Sequence, residues 1–144
     1  MTGTVSVRRA ERGDAEAILP LISRQTLDEY EAIGASPASM VAGAFEAGAP
    51  VFVSTLDDRP MAIFGFTDYG SYTSMWTLAT QAYFEAGVPA IIKTRAFLRR
   101  LDFGKPLCVV TFAPHADTDR WLGLLGFEKI AHDGARRDFL YPRR

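Results

Sequence analysis

The chain has 144 residues, a formal net charge of −1, 48% hydrophobic residues and 23% charged residues. That length gives one domain able to build a core without staples, and the composition excludes a disordered chain. The near-zero charge offers no footprint for nucleic acid or an anionic membrane, and one cysteine and two histidines exclude a disulfide and a zinc-thiolate centre.

The N-terminus has no apolar core of a signal peptide, and no apolar run approaches the ~20 residues of a membrane span. The expectation is a protein of a reducing compartment. Alternation at Val5 and Val7 predicts a first strand. Asp14 is placed to cap a helix carrying Ile18, Leu21, Ile22 and Gln25, with a kink or break at Pro20. Gly34 ends this helical region, and Ser36-Pro37 starts another with Met40, Val41, Ala44 and Phe45 inward.

Val51 to Val53 and Met61 to Phe66 read as a hairpin around a turn at Asp57 to Pro60. A second turn at Asp68 to Ser71 leads to a strand over Ser74 to Thr80. A long helix follows Gly87-Val88-Pro89, with Ile91, Leu98 and Leu101 on one face and Lys93 and Arg100 on the other, closed by Gly104-Lys105-Pro106. Leu107 to Phe112 reads as a strand buried on both faces. Asp117 or Thr118 is placed to cap a helix with Trp121, Leu122 and Leu125 inward, ended by Gly126. Strands over Phe127 to His132 and Asp138 to Tyr141 meet at Asp133-Gly134, a hairpin signal. The class is mixed α/β, and the early hairpin argues against an all-parallel sheet.

Three stretches resemble the GCN5-related N-acetyltransferase (GNAT) family. They are the Val7 to Asp14 opening, VRRAERGD; the late helix from Asp119 to Phe127, which ends in Leu-Gly-Phe; and the hairpin at Asp133-Gly134. Trp76-Thr77-Leu78, the basic helix after it and Arg120-Trp121-Leu122 are similar, more narrowly, to small GNAT-like phage proteins, including the internal virion protein family of T7-like podophages. The resemblance implies one domain over residues 1–144. It has a twisted, mostly antiparallel sheet splayed between two parallel strands, here Ser74 to Thr80 and Leu107 to Phe112, with helices on both faces.

The resemblance further implies transfer of an acetyl group from acetyl-CoA to an amine. In the family a Gln/Arg-x-x-Gly-x-Gly/Ala loop before the long helix offers backbone N–H groups to the pyrophosphate. The implied binding residues are Leu78, Ala79, Thr80, Gln81, Ala86 and Gly87. The stretch from Gln81 to Ala86 departs from that pattern, since Phe84 takes the glycine position and Glu85 adds a negative charge. Counting from the preceding strand starts the loop nearer Tyr83 and makes Gly87 one of its small residues. Lys93, Arg95 and Arg99 either offset the lost anion site or form a solvated basic face.

Asp68, Glu85 and His115 are the ionisable candidates near the gap, and Tyr69, Tyr72 and Tyr83 stand in for the family's tyrosine acid. The catalytic candidates are Tyr72, Glu85 and His115. A plain loop histidine is the alternative for His115, and a core residue for Trp121. Cys108 reads as a structural thiol. Glu29 and Glu31 either line an acceptor site or are solvated helix charge. No metal site is expected. The expected partners are a small-molecule or protein amine acceptor, other virion proteins under the phage resemblance, and a second copy of the chain. The expected location is cytoplasmic, meaning host cytoplasm or virion for a phage protein. The competing reading is a catalytically degenerate fold serving a virion or host-directed role.

Overall fold

A computed structural model describes residues 3–142. One mixed sheet runs through it in the order β1-β2-β3-β4-β5-β7-β6. The strands are β1 (Val5–Arg9), β2 (Val51–Leu56), β3 (Arg59–Asp68), β4 (Thr73–Ala79), β5 (Leu107–Thr111), β6 (Glu128–Asp133) and β7 (Arg136–Leu140). Every neighbouring pair is antiparallel except β4 and β5. The helices are α1 (Arg12–Ile18), α2 (Arg24–Ala32), α3 (Pro37–Glu46), α4 (Gln81–Ala86), α5 (Val88–Arg100) and α6 (Ala116–Leu125).

Helices cover both faces. On one, Phe64, Phe66, Tyr83, Phe97, Leu98 and Leu125 form the larger apolar cluster under α5 and α6. On the other, Ile18, Tyr30, Val41, Val53, Ile63 and Leu78 pack under α1 to α3. The period-2 alternation of strand side chains supplies both clusters from one sheet, Phe64 going one way and Ile63 the other. No helix among the described residues is long and apolar enough to cross a membrane.

The local punctuation follows backbone chemistry. Pro20 breaks the first helical region into α1, a 3-10 turn over Leu19–Leu21, and α2. Ser23 caps α2 by accepting from the Thr26 N–H, and Ser36 caps α3 through Ser39. Asp57 and Asp58 both adopt positive φ. They make a two-residue hairpin turn, so Arg59 and Pro60 belong to β3 and not to the turn.

Four expected local features are corrected. Asp14 is three residues inside α1, whose cap is Glu11; the Asp14 carboxylate accepts from the Glu11 N–H and from Arg8. α6 starts two to three residues earlier than expected, with His115 at its cap position. β5 is not buried on both faces, because Cys108 and Val110, on one face, are only half-buried. The segment Gln81–Ala86 is a short helix, not an open loop.

Candidate functional site

β4 and β5 meet only at their first residues, Thr73 with Leu107 and Ser74 with Cys108. Beyond that closed end the two parallel strands part, and their backbone edges no longer serve one another. A buried edge must find other partners. On β4 the Ala79 carbonyl accepts from the Ser23 N–H at 2.9 Å, and the Thr77 carbonyl accepts from the Tyr30 hydroxyl at 3.1 Å. α2, from its cap Ser23 to Tyr30 in its last turn, therefore lies along the open edge of β4.

α2 also reaches the far side of the gap. Glu29 accepts a hydrogen bond from Thr111 Oγ1 at the end of β5. Gln25 Nε2 donates to Thr118 Oγ1 on α6 at 3.1 Å. Between them is a small cavity of about 90 Å³, bounded by Glu29, Trp76, Val110, Phe112 and Trp121 among others. A second void of about 20 Å³ continues toward Phe84 past the same Glu29 and Trp121. Gly65, paired with Trp76, sets one wall: a Cβ there would run into the indole.

Burial pushes the Glu29 carboxyl above the ordinary glutamate range, opposed by the Thr111 hydrogen bond and the positive charge of Arg137. The Ala113 N–H already donates to Thr111 Oγ1, so the Thr111 proton points at Glu29. A carboxylate whose pKa is raised by burial, in a gap between strands, can take a proton from a bound group.

Arg137 is buried and fully engaged. It donates to both oxygens of Asp119, to the Ala113 carbonyl and to the Ala135 carbonyl. Burial opposes ionisation of Asp119, but Arg137 and Lys129 outweigh it and hold the carboxyl below its usual range. This network clamps the turn from β5 into α6 against the β6–β7 hairpin. An open cleft of about 350 Å³ lies beside it, with His115 and His132 on its walls.

His115 lines that outer cleft, not the gap beside Glu29, and it is tied down. Its Nε2 lies 2.9 Å from Asp28 Oδ2. That contact, with Arg24 adding to it, holds the Asp28 carboxyl below its usual range. The other two catalytic candidates lie elsewhere. Tyr72 sits at the closed end of the splay, stacked on Tyr69 with ring centroids 5.2 Å apart. Glu85 is exposed on the outer surface of α4. Asp68 also belongs to the closed end, where Lys105 pairs with it.

Tyr83 is not a free acid either. Trp121 Nε1 donates to its hydroxyl, Thr94 accepts from it, and Thr94 in turn donates to the Ala90 carbonyl. That chain commits the Tyr83 proton, and burial pushes the phenol up to about 12. Cys108 is half-buried, and burial with the charge of Asp138 raises its thiol pKa, consistent with an inert structural thiol. Glu31 is exposed, leaving Glu29 as the acidic residue of α2 that enters the gap.

The residues expected to hold the cofactor divide into two groups. Leu78, Ala79 and Thr80 are buried in β4 and just beyond it, with the Thr80 hydroxyl donating to the Met61 carbonyl. Gln81 and Ala86 belong to α4. Gly87 has φ of 65° and separates α4 from α5. Read from Phe84, the family loop pattern puts Gly87 on its central glycine and Pro89 on its last small residue. Gly87, at positive φ, is where the backbone turns into α5. Pro89 lacks an N–H, so this helix start offers one donor fewer to an anion. Arg95 reaches the Leu124 carbonyl, and Arg99 lies against a groove at the other end of α5. Arg95 and Arg99 therefore do not converge on the start of α5. No cluster able to hold a metal ion occurs among the described residues.

No family model and no curated protein matches this sequence. Solved structures do match in shape. The chain is similar to an acetyltransferase from Thermus thermophilus, with a TM-score of 0.69, 14% identity and 97% of each chain covered. It is similar to the GNAT domain of S. lividans PAT, with a TM-score of 0.67 and 13% identity over 94% of this chain and 88% of that one. It is also similar to the PaiA N-acetyltransferase of Thermoplasma acidophilum in complex with coenzyme A, with a TM-score of 0.64 and 9% identity over 97% and 99%. Together with the single parallel pair inside an otherwise antiparallel sheet, these matches show that the chain has the GNAT fold.

Proposed function

We propose that the chain transfers an acetyl group from acetyl-CoA to an amine, with Glu29 as the base. The observation that carries this reading is the Glu29 carboxyl, raised by burial and held by Thr111 where β4 and β5 part. Acetyl-CoA, when bound, supplies an acyl group activated as a thioester. The amine displaces the thiolate: a C–N bond forms and the C–S bond breaks. Of the two protons the ammonium nitrogen gives up, one passes to Glu29 and the other to the departing thiolate.

The fit to acetyl-CoA is uneven. The residues that would hold it are the open edge of β4, with Gly87 and the Val88 N–H at the start of α5. The acyl end and the acceptor amine would meet in the gap beside Trp121, and its volume of about 90 Å³ is small against the ~300–1,000 Å³ of ordinary ligand sites. Admitting the arm requires the Gln25–Thr118 bridge to open. The missing Pro89 N–H and the Glu85 charge weaken the anion end. Weak binding of acetyl-CoA is therefore expected.

A second reading draws on the same weak anion end. It is a catalytically silent GNAT fold acting through a protein partner, such as a virion or host protein, as the phage resemblance suggests. Exposed Val88 and Ile92, one turn apart on α5, favour it. Thiol release from acetyl-CoA against an amine panel separates the two. Turnover lost in Glu29→Gln supports transfer; no turnover, with no binding of acetyl-CoA, supports the silent reading.

A further inference from the structure

We infer that the acceptor is a monoamine on an apolar body; this rests on the acetyl-transfer reading and narrows it to a substrate class. Apart from Glu29, Tyr30 and two threonines, Thr77 and Thr118, the cavity is lined by apolar or aromatic side chains, Ile33, Trp76 and Trp121 among them. Its ionisable residues are Glu29 and Tyr30, and the Tyr30 proton is committed to the Thr77 carbonyl. One carboxyl in an apolar wall matches one ammonium on an apolar stem.

The surrounding charges argue against a polyamine. Asp28 is paired with His115 and Arg24, and Asp119 with Arg137 and Lys129. Neither carboxylate lines the cavity, and a second ammonium reaching toward either would meet one already paired. Ile33 is 47% exposed at the rim, an apolar side chain that a bound stem would cover.

The two tryptophans of the chain, Trp76 and Trp121, both line this cavity, so their fluorescence reports on its occupancy without any acyl donor. The test titrates the full chain with 2-phenylethylamine and, separately, with spermidine. The expected result is a saturable change with phenylethylamine at a Kd at least about tenfold lower than for spermidine. Ile33→Asp, a substitution at an exposed helix end, should weaken phenylethylamine by about tenfold and leave far-UV dichroism unchanged. Equal or tighter binding of spermidine overturns the inference, as does the lack of any saturable change with phenylethylamine. If phenylethylamine binds and acetyl-CoA does not, the monoamine site stands and the acetyl-transfer reading fails.

Discussion

The two edges of β4 behave differently. Toward β3 the strand is paired continuously, from Ala62–Ala79 to Thr73–Asp68. Toward β5 the ladder ends after Ser74, and the carbonyls of Thr77 and Ala79 turn to Tyr30 and Ser23 instead. The ladder is complete in itself and carries no chemistry. The interrupted edge must be completed by side chains and a neighbouring helix, which bring Glu29, Gln25 and Tyr30 to one place. In this molecule a gap in backbone pairing is what makes room for a site.

The predictions probe that contrast. The largest effect is expected at the open edge. Glu29→Gln should lower kcat/KM for acetyl transfer by roughly 10²–10⁴, read by thiol release. The pH dependence follows from the raised Glu29 pKa. Transfer needs the ionised carboxylate, so the acid limb of kcat/KM should lie above the ordinary ~4.3 of glutamate. The same shift has a stability consequence of defined sign. A raised folded-state pKa stabilises the fold below the unfolded value, and that contribution is lost as pH rises through the folded one. Above that window Glu29→Gln should therefore be as stable as the parent, or more stable, by chemical denaturation.

The clamp behind the open edge comes next. Arg137→Ala leaves Asp119 without its buried partner and frees two backbone carbonyls. A loss of about 3–5 kcal/mol is expected, seen as a Tm lower by roughly 10 °C. On the paired edge, Gly65→Ala forces a methyl into Trp76 and should cost about 1–3 kcal/mol. Its Trp76 emission should shift as well, because the indole is also a wall of the gap. The smallest effect is at the start of α5. Pro89→Ala restores one N–H donor and should tighten acetyl-CoA by about 1 kcal/mol, roughly fivefold, in calorimetric titration.

Local chemistry made much of the fold legible. Pro20 breaks a helix, Ser36-Pro37 begins one, Gly126 ends one and the residues around Gly134 turn a hairpin, all as the sequence suggests. The splay between the fourth and fifth strands also follows from the order of elements and the family resemblance. The site was less legible, because its partners are far apart in the chain. Glu29 and Thr111 are 82 residues apart, and no spacing rule links a helix glutamate to a strand threonine. Tyr72 and Glu85 looked central because they flank β4 in sequence. The strand carries Tyr72 to its closed end, and the α4 turn carries Glu85 to the surface. His115 reads from the sequence as a loop residue near the gap, but its bond to Asp28, 87 residues away, has no sequence signal.

The most direct test of the account is calorimetric titration of the chain with acetyl-CoA, alongside the Pro89→Ala variant. Saturable one-to-one binding, weaker than micromolar and tightened by Pro89→Ala, is the predicted result. No binding to either protein would contradict the acetyl-transfer reading and leave a GNAT fold without its donor.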